Sequence, residues 1–252
     1  MYGGPQARIF GLRESGEMYF MGQMFLFDSN IRDGLSVISG DFDYDGYHDD
    51  IASCLTGNRK PTIRVYKDAI GVDNWEKIAE FDALFGNVGC NLGAFQYDSN
   101  SDEILVFPNH GPENPELFIY TASGDLRERF LAYGKGVTSG LTPSGIGNRI
   151  YTTPNNGTSH IRVFDKSGNP KNFWWAYNNI NVKGDFRNVV GDIDLDGQEE
   201  ILISPIGANG SQVLAFEPSG KWCIWPNFFA FGDETLRNGV GIAVIDNFHG
   251  VN

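Results

Sequence analysis

Two stretches of this chain carry one acidic pattern and join it to the start of an apolar run. In residues 191–201 the acids Asp192, Asp194 and Asp196 alternate, Gly197 follows, and Glu200 stands directly before Ile201, Leu202 and Ile203. In residues 40–51 the acids Asp41, Asp43 and Asp45 are followed by Gly46, with Asp49 and Asp50 ahead of Ile51. Three carboxylates at alternate positions converge on one cation only if the backbone curls tightly after the third, and a glycine permits that curl. The later loop contains no cysteine or histidine, so its all-oxygen donor set favours calcium over zinc. An EF-hand would need helices on both sides and a bidentate acid at the twelfth loop position, and the pattern supplies neither. In the earlier loop one extra residue separates the acids from the strand, which leaves either Asp49 or Asp50 to close the site. The competing reading of each loop is an acidic surface turn.

Short strands recur around these loops, and no apolar stripe of helical period competes with them. Five times a strand ends near an aromatic residue, at Phe10, Tyr66, Tyr120, Phe164 and Phe216. A second aromatic register, Phe27, Phe81, Tyr133, Tyr177 and Phe231, keeps the same phase. A small-residue strand and a loop complete each unit. In the second unit Ala94 and Gln96 replace the first two acids, and Asp98, Asn100 and Asp102 form a shifted alternative. The third loop, residues 141–149, has no carboxylate, and its Pro143, Gly145 and Gly147 are expected to hold a turn without metal.

A four-stranded unit of this size cannot bury both faces of its sheet alone, whereas radial stacking of units does so and limits exposed edges. The expectation is an all-β protein, a β-propeller of five four-stranded repeat units with the last composite or incomplete. Residues 1–252 then form a single propeller domain, alone or within a longer array. The strands rich in Gly, Ala and Val are placed innermost and the aromatic strands farther out, with Trp174, Trp175, Phe228 and Phe229 between or outside blades. The fifth unit reaches Asn252 before the strand that should follow its loop. Residues 7–10 and 24–27 are therefore expected to join residues 241–245 in one composite blade.

With these segments in place the chain resembles the FG-GAP and VCBS repeat families, the calcium-loop propellers also found in integrin alpha-chain heads. The likeness is carried by residues 161–165 with residues 190–201, and more weakly by residues 63–66 with residues 39–46. It implies that Asp192, Asp194, Asp196 and Glu200 bind calcium and brace their blade, and that Asp41, Asp43, Asp45 and Asp49 do the same in theirs. It also implies an extracellular or cell-surface module that binds or adheres to a glycan or protein ligand. Family rings commonly have more blades than the units counted here.

Composition narrows the partners. Asp and Glu number 32 against 19 Lys and Arg, for a net charge of −13, which argues against nucleic acid or an anionic membrane as the main partner. No apolar run is long enough to span a bilayer, and residues 1–5 lack the basic start and apolar segment of a secretory signal. The expectation is a mature domain or fragment, or a chain whose export is not encoded in it. Cys54, Cys90 and Cys223 stand at unrelated spacings, so Cys54 reads as a buried thiol and no disulfide framework is expected. His48, His110, His160 and His249 have no ligand spacing, and neither a Gly-x-Ser-x-Gly elbow nor a Walker-type loop occurs, so no catalytic residue is assigned. The enzymatic alternative is a polysaccharide lyase or glycosidase, recruiting acids among Asp49, Asp50, Asp102, Glu103 and Glu199. Trp75, Trp174, Trp175, Trp222 and Trp225 offer aromatic faces for sugar, against a packing role that Trp175 and Trp222 suit better. Two glycosylation sequons begin at Asn156 and Asn209. A third reading is a structural repeat whose incomplete blade self-associates through its edge.

Overall fold

Alternating apolar residues broken by Gly-rich turns give a chain whose regular elements, among the described residues, are all strands. The computed structural model describes residues 4–13, 15–69, 75–98, 101–110, 116–134, 137, 140–155, 157–177, 183–194, 196–206, 210–223, 228–232, 236 and 239–244. A hairpin of β1 (Gln6–Leu12) and β2 (Met18–Phe25) comes first. The first blade follows as β3 (Leu35–Gly40), β4 (Asp50–Leu55), β5 (Thr62–Lys67) and β6 (Glu76–Asp82), hydrogen-bonded in chain order. The second is β7 (Cys90–Asp98), β8 (Ser101–Pro108), β9 (Glu116–Tyr120) and β10 (Leu126–Leu131). The third uses β11 (Leu141–Ile146), β12 (Arg149–Pro154), β14 (His160–Phe164) and β15 (Pro170–Trp175). The fourth uses β16 (Lys183–Gly191), β17 (Glu200–Ile206), β18 (Gln212–Phe216) and β19 (Phe228–Phe229), with the short β13 (Gly157–Thr158) added at the edge of β16. All pairings are antiparallel, and the molecule is a propeller of four such sheets in a ring with the hairpin as an incomplete fifth blade.

The second strand of each blade lies between two sheet neighbours and two blades, so its residues are among the most buried. Every residue of β4 is buried, and Ile104 to Phe107 of β8 are fully enclosed. Apolar seams join consecutive units. Cys54, Ile63 and Val65 meet Leu92, Ile104 and Phe118, and Phe95, Leu105 and Ile119 meet Leu141, Ile150 and Phe164. Tyr151, Ile161 and Val163 meet Phe186, Ile201 and Leu214, while Leu26, Phe27, Ile9 and Met24 of the hairpin region meet Ile51, Tyr66 and Trp75. At about 25 cal/mol per Å² of apolar surface, such seams rather than hydrogen bonds supply the bulk of the cohesion. The inner strands β3, β7, β11 and β16 line a channel of about 500 Å³, and Ile242, Ala243 and Val244 line it at the fifth position. The expected composite blade is present to that extent, although residues 242–244 form no strand and Ile245 lies outside the described residues.

Two recurrent glycine positions set the spacing. Residues just before the inner strands cross onto the preceding blade, where a side chain would collide with backbone: at Gly89 with residues 55–57, and at Gly140 with Asn109. Gly239 makes the equivalent approach, in a bridge to Ile206. On the outside, the turns between third and fourth strands share one hydrogen-bond pattern. Gly16, Gly124, Gly168 and Gly220 donate to the carbonyls of Arg13, Thr121, Asp165 and Glu217, at 2.8 to 3.0 Å. A serine precedes each of these glycines, and all four have positive φ. The shared turn identifies β1 and β2 as the outer pair of a blade.

Two expectations are corrected. Cys54 is not a free thiol: it is disulfide-bonded to Cys90, with Cα atoms 5.9 Å apart, because β4 of the first blade packs against β7 of the second. Ring packing sets that proximity, so spacing along the sequence does not reveal it. Cys223 is the free cysteine, buried, and burial pushes its thiol up to about 12. In the third unit, residues 141–146 are the inner strand itself, and the loop shrinks to Gly147 and Asn148 between Ile146 and Arg149. Pro143 is tolerated there because β11 is an inner edge strand, bonded only to β12.

Candidate metal centres

Both acidic loops connect the first strand of a blade to the second, and the backbone amides bonded by their three alternating aspartates correspond. In the first blade Asp41 Oδ1 accepts from the Asp45 amide at 3.1 Å and Oδ2 from the Gly46 amide at 3.0 Å. In the fourth, Asp192 Oδ1 accepts from the Asp196 amide at 3.1 Å and Oδ2 from the Gly197 amide at 2.9 Å. Asp43 and Asp194 each accept from the amide two residues on at 3.2 Å, and Asp45 and Asp196 do so at 2.8 Å. Gly46 and Gly197 have φ of 92° and 89°, in the left-handed region that favours glycine.

The structure brings Asp41, Asp43 and Asp45 together, each with a carboxylate oxygen within 4.8 Å of the others. In the fourth blade the group is Asp192, Asp194 and Glu200, with the closing acid in place of the third aspartate. Asp196 lies in the same loop, with Oδ1 directed to the Gln198 amide. Strand register sets Asp50 opposite Gly40, as Glu200 lies opposite Gly191. Asp50 Oδ2 accepts from the amides of Phe42 and Asp43, both at 2.8 Å, and Glu200 Oε2 accepts from the Ile193 amide at 2.8 Å. Asp49 belongs to a neighbouring group with Asp45 and Asp68. Its distinguishing signal in sequence is position: Asp50 and Glu200 each directly precede the first isoleucine of a buried strand.

Electrostatics favour a cation at these loops. Burial pushes the Glu200 carboxyl above the usual carboxylate range, eased by the Ile193 amide and aggravated by Asp194. Asp50 is raised by burial as well, with the amides of Phe42, Asp43 and Asp68 opposing. Asp49 is raised by burial and by Asp45. Glu200 is 1% exposed, and its Oε1 is buried without a hydrogen-bond partner. An unsatisfied buried carboxylate oxygen beside two more carboxylates is costly as it stands and is the donor set of a hard cation. The residues present therefore fit a divalent cation.

Each loop is also fastened to an adjacent blade. Asp102 at the start of β8 accepts from the Asp41 amide at 2.9 Å and pairs with His48 Nδ1 at 3.0 Å, and its own amide donates to the Asp41 carbonyl. Asp102 thus faces the first loop; of the shifted alternative, Asn100 lies outside the described residues. In the fourth blade Glu199 accepts from Arg149 at 2.7 Å and from the Tyr151 hydroxyl at 3.2 Å, both on β12 of the third blade. Glu103 pairs with Arg127 at 3.3 Å. These acids are distributed among three inter-strand contacts rather than gathered at one point. Of the tryptophans, Trp75 is buried, Trp174 packs on Phe216, Trp175 stacks on His160 at 4.9 Å, and Trp222 lies 4.9 Å from Phe216. Trp225, Asn156, Asn209 and His249 lie outside the described residues.

Sheets and loops together define a β-propeller carrying acidic clusters able to coordinate a divalent cation. No protein-family model matches the chain, and no curated protein matches its sequence. Solved structures match its fold. A protein of unknown function from Bacteroides caccae aligns with a TM-score of 0.50 and 11% identity, over 93% of this chain and 73% of that one. Saccharomyces cerevisiae Sqt1 aligns with a TM-score of 0.46 and 10% identity, over 84% of this chain and 66% of that one. A mutant of the Aleuria aurantia lectin AAL, in complex with Fucα1-6GlcNAc, aligns with a TM-score of 0.48 and 11% identity, over 89% and 79%. At these identities the likeness is one of fold alone. No helix among the described residues is long and apolar enough to cross a membrane.

Proposed function

We propose that this chain is a calcium-stabilised binding module of the FG-GAP and VCBS type, working outside the cell or at its surface on a glycan or protein ligand. The carrying observation is the pair of loops with matching hydrogen bonds, one of them holding the buried, unpartnered Oε1 of Glu200. Asp192, Asp194, Asp196 and Glu200 hold one ion; Asp41, Asp43 and Asp45, closed by Asp49 or Asp50, hold the other. Calcium supplies positive charge where carboxylates crowd, and the chain supplies the curled loop and its link to the next blade. The metal is structural in this reading, since the acids are engaged in holding the loops and none is left as a separate base or nucleophile. The Cys54–Cys90 disulfide supports an oxidising compartment. Residues 1–252 act as a single propeller domain.

The test is a calcium titration by calorimetry with parallel thermal melts on the parent, Asp192→Ala and Asp41→Ala. Two sites are expected in the parent and one in each variant. At a hundredfold excess over Kd each site adds about 2.7 kcal/mol of stability. Absence of calcium binding and of any thermal shift refutes the assignment.

A further inference from the structure

The channel has a mouth at the end opposite the acidic loops. There a cavity of about 760 Å³ forms where the inner strands begin, within the size range of small-molecule sites. Its lining is mostly polar, with Arg187 as the one guanidinium among the described residues. Strand alternation explains why that side chain is available. Phe186 and Asn188 of β16 are buried toward the third blade, where Phe186 packs at a tilt against Tyr177 and Asn188 Nδ2 donates to Thr142 O and Thr153 Oγ1, each at 2.8 Å. Arg187, between them, turns to the other face, is exposed, and lines both the mouth and the channel below it. It makes no hydrogen bond or ion pair with the described residues. Asp185 also lines the mouth and has contacts of its own.

The surrounding amides are oriented by the backbone and leave particular atoms free. Asn91 Nδ2 donates to Leu141 O at 2.9 Å and Asn109 Nδ2 to Thr56 O at 2.6 Å, so both Oδ1 atoms remain as acceptors. Asn155 Oδ1 accepts from Thr142 Oγ1 at 3.3 Å, which leaves its Nδ2 as a donor. A mouth with fixed acceptors and one unpaired guanidinium selects a molecule that offers hydroxyl donors and a carboxylate together. The protein's net charge of −13 does not decide against an acidic ligand here. The five steps from Leu35 to Gly40 separate the mouth from the acidic loops by about 17 Å, roughly two Debye lengths at physiological salt.

We infer that the channel mouth is a binding site for a sugar acid, with Arg187 holding the carboxylate and Asn91, Asn109 and Asn155 holding ring hydroxyls. This inference rests on the reading of the chain as a binding module and names its ligand class. Arginine meets a carboxylate through two parallel N–H···O bonds, a geometry no neutral ester reproduces. The experiment is an NMR titration of the full chain with galacturonate, its methyl ester, galactose and acetate, following the side-chain amide signals of Asn91, Asn109 and Asn155. Galacturonate is expected to shift those signals and to bind at least about tenfold more tightly than the other three. Arg187→Gln is expected to abolish the preference for acid over ester while leaving the melting temperature unchanged. Failure of galacturonate to bind, equal binding of the ester, galactose or acetate, or a preference that survives Arg187→Gln overturns the proposal. The comparison of acid with ester uses the unaltered protein, so it stands even if the variant folds poorly. Running it both in calcium and in chelator separates failure of this site from failure of the cation loops.

Discussion

Breaking the Cys54–Cys90 bond should cost this fold several kcal/mol, chiefly through the denatured state. The bond closes a loop of 36 residues, for which the chain-entropy relation gives about 4 kcal/mol at 25 °C. With a per-residue unfolding entropy typical of globular proteins, that loss lowers the melting temperature by about 7 °C. Both sulfurs are fully buried in the seam between the first two blades, so removing the side chains would add a packing loss to the entropic one. Urea titrations with and without reductant separate the two. The parent should lose about 4 kcal/mol in reductant and show a larger m-value, because its denatured chain expands. Cys54→Ala combined with Cys90→Ala should be insensitive to reductant and less stable than the reduced parent by the packing term alone. If the fully reduced parent stays within about 1 kcal/mol of the oxidised protein, the bond does not constrain the denatured chain as argued.

Two further predictions concern single residues. His160 stacks on Trp175 with Nε2 buried and unpartnered, and burial together with Arg162 holds its pKa below the usual value. The unfolded chain therefore binds this proton first. Stability should fall as pH drops below about 6.5, and His160→Phe should flatten that fall in melts taken between pH 7.5 and 5.5. At glycines, Gly140→Ala drives a methyl into the Asn109 carbonyl and should cost about 3 kcal/mol. Gly147→Ala meets no atom within 4 Å but keeps a φ of +54°, and should cost about 1 kcal/mol in the same denaturation assay.

Much of this architecture is legible in the chain because the repeat is carried by residues with local meaning. Tyr120, Phe164 and Phe216 end the third strands of their blades and Tyr66 stands one residue before the end of its own, as their common phase implies. Alternating acids before a glycine specify their own loop, so the convergence of Asp41, Asp43 and Asp45 needs no knowledge of neighbouring blades. Contacts between blades are harder to read. Asp102 fastens to the Asp41 amide 61 positions away, and Cys54 reaches Cys90, because ring packing places β4 and β8 beside the neighbouring blade. Residues 141–149 misled for another reason: Pro and Gly signal a turn locally, yet Pro143 occupies an inner strand whose free edge demands no amide. A further local signal of the repeat is the Ser-Gly pair at the turns containing Gly16, Gly124, Gly168 and Gly220.

The crossing glycines bear on how such a ring changes its size. Gly89, Gly140 and Gly239 each seat on the unit immediately preceding them in the chain. A unit therefore carries both halves of the joint, a second-strand end to be seated upon and a glycine with which to seat. That rule makes no reference to how many units there are. Copying the stretch from one such glycine to the next inserts a blade whose two neighbours are already specified, and deleting it rejoins two compatible faces. Ring size can then vary by gene duplication or loss, with the angle between sheets absorbing the difference and the glycine joint itself left unchanged.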